Sequence, residues 1–267
     1  MDVAKSFYFK TIKKLCRKET VSFSDKILVV GGGALDRDVF KLNGFKDVII
    51  SNIEKDRGTE DYTPYRWEYQ DIENLTYEDS TFDWVFVHAG LHHCSSPHRG
   101  VCEMLRVSKR GIAVFEARDS LLNRIAISAG LVPEFELEPC VLSEGKDGGL
   151  RNSSIPNHVY RWTEREVKKT VNSFLPQFKH DFYFFYGLRI PTQRLSLSTS
   201  YLKRLIGFIA VVISPLFGSL FPKQGNCFAF IVIKSGELQP WLKMETGEIK
   251  FNLSYKYGRF SPERYKS

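Results

Sequence analysis

Short apolar runs alternate with amphipathic stretches between residues 26 and 116. Four runs have the length and β-branched content of strands, and they cover residues 26–30, 48–51, 84–88 and 112–116. Apolar residues recur at helical spacing between them, over 36–42, where Gly44 supplies a C-terminal cap, and over 98–108. Alternation of strand and helix at these lengths predicts βαβ units, and therefore an α/β fold around a mostly parallel sheet.

The pattern changes outside this region. An amphipathic helix rich in Lys and Arg is predicted over residues 4–18, ahead of the first strand. Residues 119–129 have helical spacing, and residues 143–157 are rich in turn formers, which is typical of a lid over a site. Thr163 and Glu166 form a capping box that predicts a helix over 164–174. Two further strands are predicted, at 178–186 and 228–234, with a polar tail from residue 236.

These elements suggest three parts of the chain. We expect a basic N-terminal helix in residues 1–25, a single catalytic or binding domain in 26–235, and a polar C-terminal tail in 236–267. Within the domain, the alternation of strand and helix loosens after Arg118.

An uncharged stretch over residues 205–222 reaches the lower length limit of a membrane span. Pro215, Gly207 and Gly218 interrupt it, which disfavours a spanning helix. Two alternatives stay open, packing in the core and contact with a membrane surface, and the basic residues Lys203 and Arg204 are compatible with the second.

Composition narrows the class of protein. The 267 residues are 43% hydrophobic and 26% charged, which excludes a disordered or low-complexity chain. A net charge of +7 permits an anionic partner without requiring one. The five cysteines are odd in number and contain no C-x-x-C, so neither a disulfide framework nor a zinc site is expected. The first residues lack the features of an export signal, and we expect a cytoplasmic protein, with peripheral contact at a membrane as the alternative.

A glycine turn, Gly31-Gly32-Gly33, follows the first predicted strand and opens a helix. Glycines in this place let a ligand approach the backbone and the helix N-terminus. Asp36 stands where a dinucleotide fingerprint needs its last glycine, which disfavours NAD. A tight turn without a ligand is the alternative. The second strand ends at Asn52 and Glu54, where nucleotide-binding folds place a ribose contact, although Glu54 could equally cap the next helix.

Further along, the acid and aliphatic residue Asp71-Ile72 could contact an adenine ring and its amino group. Residues 80–83, the stretch from His88 to His93, and Glu103 to Val107 follow in order. Together with the glycine turn, this series resembles class I S-adenosylmethionine-dependent methyltransferases of the small-molecule branch, with a type 11-like domain. The resemblance covers roughly residues 26–116. It departs at Val29 and Val30, where the family has an acid before the first glycine, and at Leu35.

The resemblance implies a Rossmann-like, seven-stranded, mostly parallel sheet with helices on both faces and its last strand antiparallel. It implies S-adenosylmethionine as cofactor and an acceptor-binding lid in 117–222. The candidate cofactor-binding residues are then Gly31, Gly32, Gly33, Asn52, Glu54, Asp71, Ile72 and His88. Residues 157–163 resemble a segment that recurs in the family after the fifth strand, which makes His158 and Arg161 candidate substrate residues.

Three histidines, His88, His92 and His93, follow the fourth strand, at the edge where open α/β sheets bind ligands. A hydroxyl acceptor needs a base, and we place His93 first in that role, with His92 and Glu116 as alternatives. Each histidine could instead be a wall residue. No metal is expected, because adjacent histidines should point apart and the spacing to His98 matches no common site.

The leading interpretation is a methyltransferase acting on a small-molecule or lipid-linked acceptor, most simply by O-methylation, in polysaccharide or secondary-metabolite assembly. One alternative is an RNA methyltransferase, because aromatic residues 182–186 could stack on bases, although alternation within a strand explains them more simply. Nucleic acid is therefore not the expected partner. The other alternative is a non-catalytic member of the fold that binds the cofactor.

Overall fold

A computed structural model describes residues 6–190 and 201–256. The largest sheet has seven strands, and two short two-stranded sheets accompany it. The strands in chain order are β1 (Ile27–Val30), β2 (Val48–Asn52), β3 (Arg66–Tyr69), β4 (Phe82–His88), β5 (Ser108–Ala117), β6 (Phe135–Glu136), β7 (Asn157–His158), β8 (Phe178–Gly187), β9 (Cys227–Leu238), β10 (Leu242–Glu245) and β11 (Glu248–Phe251).

The large sheet has the order β3-β2-β1-β4-β5-β9-β8. Strands β1 to β5 pair in parallel, and β9 is antiparallel to both of its neighbours, β5 and β8. The chain order reverses at β1, so β1 and β4 diverge from a point where ligands bind in doubly wound sheets. The expected Rossmann-like sheet, with its last strand antiparallel, is confirmed.

Helices cover both faces of this sheet, and those that pack on it are α1 (Phe7–Arg17), α2 (Ala34–Asn43), α3 (Pro97–Val107) and α6 (Glu164–Phe174). The other helices are α4 (Leu121–Ser128), α5 (Glu138–Leu142) and α7 (Tyr201–Leu220). Short 3₁₀ turns connect some elements, at Lys55–Thr59, Leu91–His93, Leu150–Asn152 and Pro222–Gln224.

Alternate residues of the central strands enter two separate cores. In β1, Leu28 and Val30 pack with α3 and α6, whereas Ile27 and Val29 pack with α1 and α2 on the opposite face. The four residues of β1 are fully buried, because both faces of a parallel sheet are covered by helices. This burial holds the carboxyl ends of β1, β2 and β4 in a fixed relation to one another.

Several sequence predictions need correction. Strand β3 was missed, because it is an edge strand with partly exposed, largely polar residues and has no apolar run. Strand β9 extends to Leu238, and the predicted polar tail contains the hairpin of β10 and β11, for which no strands were predicted. Residues 1–5 of the predicted N-terminal helix and 257–267 of the tail lie outside the described residues.

The uncharged stretch is helical in α7, and Pro215 lies inside the helix instead of ending it. Across the described parts of the chain, no helix is both long and apolar enough to cross a membrane.

Candidate functional site

The glycine turn lies between the end of β1 and the start of α2. Gly31 has φ +60°, a left-handed conformation that a side chain would strain, and a Cβ there would lie 3.0 Å from Ile72. A Cβ on Gly32 would lie 2.9 Å from Ile50 in the core. At Gly33, in contrast, a Cβ would meet only the mobile end of Arg57, at 3.1 Å. Gly33 therefore leaves open a space that a ligand, and not the protein, can fill.

Asp36 closes this turn from behind. Its carboxylate accepts hydrogen bonds from the Gly33 amide (2.9 Å) and from the Tyr8 hydroxyl of α1 (2.9 Å). Asp36 is buried, and that burial raises the pKa of its carboxyl group above the ordinary value. Asp36, which stands where a dinucleotide fingerprint needs its last glycine, thus has a structural role: it connects the N-terminal helix to the glycine turn.

A solvent-open cavity of about 170 Å³ lies in front of the turn. The residues that line it come from the ends of β1, β2 and β4 and from the lid predicted over 143–157. They are Gly31, Gly32, Gly33, Asn52, Ile53, Glu54, Arg57, Asp71, Ile72, Glu73, Ala89, Gly90, His93, Cys94, Gly148, Gly149, Arg151 and Asn152. Seven of the eight predicted cofactor residues are in this set; the eighth, His88, is not.

Two polar side chains face the cavity where a ribose contact was predicted. The Asn52 side chain donates to Gly32 O (3.0 Å) and accepts from the Glu54 amide (3.0 Å), so its amide group is used to join β2 to the glycine turn. Glu54 accepts from Arg57 at 2.5 Å and is one-third exposed. Glu54 is therefore the better placed of the two to accept hydrogen bonds from a ligand.

Arg151 joins the lid to the cavity floor. Its guanidinium contacts the carboxylates of Asp71 (2.6 Å) and Glu73 (2.8 Å). Arg151 and Asn152 both have positive φ, at 51° and 57°, so this turn is held in a conformation that non-glycine residues rarely adopt. Asp71, the predicted adenine contact, is thus paired with the lid, and a ligand that uses its carboxylate must share it with Arg151.

His92 lies between two carboxylates. Its Nδ1 is 2.7 Å from Glu116, whose side chain is fully buried, and its Nε2 is 3.2 Å from Glu136. Burial alone would lower the pKa of His92, but the charges and hydrogen bonds of Glu116 and Glu136 outweigh it and raise the pKa to about 10. The hydrogen bond with His92 lowers the pKa of Glu136 to about 2. The raised pKa favours an imidazolium at neutral pH, and this disfavours His92 as the base relative to His93.

His93 has the opposite character. Burial, followed by the positive charge of His92, lowers its pKa below the ordinary value, so the imidazole is neutral at neutral pH. Nδ1 is 3.4 Å from Gly149 O and Nε2 is 3.5 Å from Glu136, while the side chain remains one-third exposed in the cavity wall. Its geometry and its charge both suit a proton acceptor.

The sequence suggested that the rings of His92 and His93 point apart. In the structure the two rings lie close together, with their centroids 4.6 Å apart. Donor atoms of His92, His93 and Glu136 lie within 4.8 Å of one another, a spacing that could suit a metal ion. A proton on His92 already accounts for the contact with Glu136, so the cluster is explained as an ion pair. Glu116 is occupied by His92 and by the Leu91 amide (2.7 Å), which makes it a positioning residue and not a base.

His88, the remaining cofactor candidate, lies behind the cavity. Its ring stacks on Tyr8 at 4.5 Å, and burial lowers its pKa. His88 consequently supports the turn from the same side as Asp36 instead of lining the site.

A second cavity has a volume of about 540 Å³. Glu136 contributes to its wall, and so does Arg161, one of the two predicted substrate residues. His158 is outside both cavities; its side chain is half exposed and lies 3.9 Å from Glu134. Of the two predicted substrate residues, Arg161 thus lines a cavity and His158 does not.

Sequence reasoning missed Glu136, Arg57 and the function of Arg151. Glu136 is in a two-residue strand, and its contact with His92 spans 44 positions, so no local pattern identifies it. Arg151 follows the glycine pair of the predicted lid, and a basic residue in such a loop was the available signal.

Comparisons with known proteins agree with this geometry. Residues 43–115 match the family model of a methyltransferase domain, type 11. No curated protein sequence matches the chain.

Among solved structures, one chain of a complex that contains the Haloferax volcanii Trm112 methyltransferase activator has a TM-score of 0.53 at 12% identity, covering 86% of this chain and 91% of that one. The [4+2]-cyclase SpnF has a TM-score of 0.51 at 14% identity, covering 85% and 80%. The YcgJ protein of Bacillus subtilis has a TM-score of 0.50 at 14% identity, covering 85% and 96%. These likenesses show the fold. Together with the match to a methyltransferase domain over residues 43–115, they show that the chain has a Rossmann-like methyltransferase fold with a cavity at its glycine turn.

Proposed function

We propose that this protein O-methylates a small-molecule or lipid-linked acceptor, in polysaccharide or secondary-metabolite assembly. The observation that carries the proposal is the position of His93, a neutral imidazole in the wall of the cavity that begins at the glycine turn. S-adenosylmethionine, when bound, supplies a methyl group already activated on a sulfonium, so the protein's task is alignment and proton removal.

The residues in front of the glycine turn fit this cofactor. Gly33 leaves the open space beside the backbone, Glu54 offers a carboxylate at the end of β2, and Asp71 with Ile72 offers an acid and an apolar surface on the neighbouring strand end. We assign ribose contacts to Glu54 and the adenine end to Asp71 and Ile72. Asn52 holds the turn, and its own polar atoms are largely used.

In the proposed reaction, the acceptor oxygen would take the methyl group as the bond between that group and the cofactor sulfur breaks, which would leave S-adenosylhomocysteine, and the acceptor proton would pass to His93 Nε2. The imidazolium that results is 3.5 Å from Glu136, whose negative charge stabilises it. His92 already holds a proton and cannot compete for the one from the acceptor. Glu116 and Glu136 act by positioning: they fix the ring of His92, against which His93 stacks.

The first test is direct. Purified protein incubated with methyl-labelled S-adenosylmethionine and candidate hydroxyl acceptors should transfer the label, and calorimetry should detect binding of S-adenosylhomocysteine. Once an acceptor is known, His93→Ala should slow turnover by about a hundredfold or more, as expected for loss of a base, with the affinity for S-adenosylhomocysteine retained.

His98→Gln is the matched control, since His98 contacts Tyr160 and Glu166 and lies outside both cavities. A His93→Ala enzyme within tenfold of wild type would show that His93 is a wall residue. Retained binding with no transfer to any acceptor would favour the non-catalytic alternative.

The structure gives the RNA alternative less support than the sequence did. Of the aromatic residues in β8, Phe182, Phe184 and Tyr186 pack against one core and Phe185 packs against the other. These rings are used in folding, and of the group Tyr183 is the most exposed, at 46%.

A peripheral membrane contact is part of the proposal, and α7 is the element that supports it. Its side chains include large apolar groups that are half or more exposed, among them Phe208 (68%), Val212 (62%) and Leu216 (67%). The exposed cations Arg204 and Lys223 lie at its two ends. An apolar helix with cations at its ends suits an interface with anionic lipids, and we propose that α7 rests on such a surface without crossing it.

A further inference from the structure

The second cavity has a composition that the cofactor does not explain. Its wall includes an apolar group of side chains: Ala117, Val132, Pro133, Phe135, Leu137 and Val159. It also includes two guanidinium groups, those of Arg161 and Arg189, which come from different parts of the chain.

The carboxylates of this cavity are already in use. Glu136 is paired with His92 and held by Asn157, and Glu138 has a partner of its own.

Arg161 is half buried, and the carboxylates of Asp119 and Glu134 act on its charge only from beyond ion-pair distance. Two of its nitrogens donate to the carbonyl oxygens of Val159 (2.8 Å) and Pro133 (2.7 Å), and its buried Nε has no hydrogen-bond acceptor. Within residues 6–190 and 201–256, Arg161 and Arg189 form no ion pair with a carboxylate. A partly buried guanidinium that is fixed by carbonyls but lacks a counterion is costly, unless a ligand supplies the charge.

Arg189 reaches the cavity from the base of the segment that carries α7. Its backbone is clamped to Asn226 by two hydrogen bonds, Arg189 N to Asn226 Oδ1 (2.9 Å) and Asn226 Nδ2 to Arg189 O (2.8 Å). These bonds join the end of β8 to the start of β9. The segment that contains α7 therefore begins and ends beside the cavity wall.

We infer that the second cavity binds the methyl acceptor, and that the acceptor is an anionic amphiphile, with a phosphate or carboxylate held by Arg161 and Arg189 and an apolar body against Phe135 and its neighbours. This inference rests on the proposed methyl transfer, for which the same molecule must present a hydroxyl group toward His93. Guanidinium groups suit both anions, since each oxyanion accepts two N–H bonds at once.

The test uses three probes of equal chain length, octyl phosphate, octyl glucoside and octyltrimethylammonium, together with inorganic phosphate, and measures binding by calorimetry below their micelle concentrations. Octyl phosphate should bind at least about tenfold more tightly than the neutral and cationic probes, because the others leave the guanidinium groups without a counterion. Weak binding of inorganic phosphate and tight binding of octyl phosphate would point to a lipid-linked acceptor, whereas equal binding of the two would point to a small soluble anion.

Arg161→Gln and Arg189→Gln should each weaken octyl phosphate binding by about tenfold or more. Arg165→Gln, which removes the same charge from an exposed position of α6, should leave it unchanged. Arg161→Lys keeps the charge and should retain part of the affinity, which separates loss of the ion pair from loss of the fold. Equal binding of the three octyl probes, or full affinity in both glutamine variants, would overturn the inference.

S-adenosylhomocysteine affinity, measured on the same samples, reports on the proposed function separately. Normal S-adenosylhomocysteine binding without an anionic preference would remove the acceptor class and leave the methyltransferase. Absence of S-adenosylhomocysteine binding would remove the methyltransferase itself, whatever the octyl probes do.

Discussion

The charged state of His92 can be tested by replacing Glu116 with Gln. The Glu116 side chain is fully buried and accepts from His92 Nδ1 and from the Leu91 amide, both at 2.7 Å. Gln has the same shape, but it removes the negative charge and turns one acceptor into a donor. His92 then keeps its contact with Glu136 as its sole carboxylate partner.

The expected loss of unfolding free energy in Glu116→Gln follows from the broken ion pair and from the titration of His92. Removing one partner of a buried ion pair costs about 3–5 kcal/mol of unfolding free energy. The folded pKa of His92, about 10, is above its ordinary value of 6.5. Its protonation therefore stabilises the fold fully below pH 6.5, and this stabilisation is lost as the pH rises toward 10.

Between these two pKa values, the titration of His92 lowers the unfolding free energy of the wild type by at most about 1.4 kcal/mol per pH unit, or about 3 kcal/mol between pH 7 and pH 9. The lowered pKa of Glu136 arises from the same interaction with His92, so it adds no further free energy to this value.

The assay is urea unfolding followed by tryptophan fluorescence from pH 6 to pH 9.5, on the wild type and Glu116→Gln. Buried thiols with raised pKa, such as Cys16, also destabilise the fold in alkali, because they ionise on unfolding. Both chains contain these thiols, so the difference between the chains isolates His92. We expect the difference to be largest near pH 6.5 and to shrink steadily toward pH 9.5.

His92→Gln should reproduce that shape. A difference that stays constant across the range would refute the reasoning, because it would mean that His92 is neutral in the folded protein and that Glu116 acts as a plain hydrogen-bond acceptor.

Three further predictions concern the cofactor turn, the lid and α7. Gly33→Val should keep the fold but weaken S-adenosylhomocysteine binding at least about tenfold by calorimetry, because the valine side chain enters the space beside the backbone. Gly32→Val, in contrast, should unfold the core. Unchanged binding in Gly33→Val would contradict the site. Arg151→Gln should speed amide exchange of residues 148–152 severalfold by mass spectrometry, since it breaks both contacts that hold the lid, and exchange equal to wild type would show that the lid is held by other groups. The double variant Phe208→Asp, Val212→Asp should no longer co-sediment with anionic vesicles at low salt, and its S-adenosylhomocysteine affinity should be unchanged. If the wild type itself does not co-sediment with these vesicles, α7 does not bind a membrane surface.

The sequence predicts the centre of this fold well and its periphery poorly, for a physical reason. Strands β1, β2, β4 and β5 are buried on both faces, so they appear as apolar runs, and the glycine turn is fixed by local backbone requirements. Strand β3 is an edge strand and alternates weakly, and the hairpin of β10 and β11 is exposed, so neither leaves a periodic signal.

The candidate site divides in the same way. The ends of strands identify Gly33, Glu54 and Asp71, because a parallel sheet brings its carboxyl ends together. The contacts that set the chemistry connect distant positions, His92 with Glu136 and Arg151 with Asp71, and pairing over such separations has no local pattern. Sequence reasoning therefore found the histidines but could not decide which one holds a proton at neutral pH.

The arrangement of charge across the two cavities also bears on which group of the acceptor is methylated. If Arg161 and Arg189 hold the anion of the acceptor, its oxygens are engaged in charge-assisted hydrogen bonds and are poor nucleophiles. The reacting group must then be a different one, a hydroxyl at the other end of the molecule, and such a group needs a base near neutral pH. His93 lines the first cavity and lies 3.5 Å from Glu136, which lines the second, whereas the raised pKa of its neighbour His92 disfavours that residue as the proton acceptor. Measured against pH, turnover of such an acceptor should rise as His93 loses its proton, on the acid side of its ordinary pKa, whereas methylation of a carboxylate would show no such dependence.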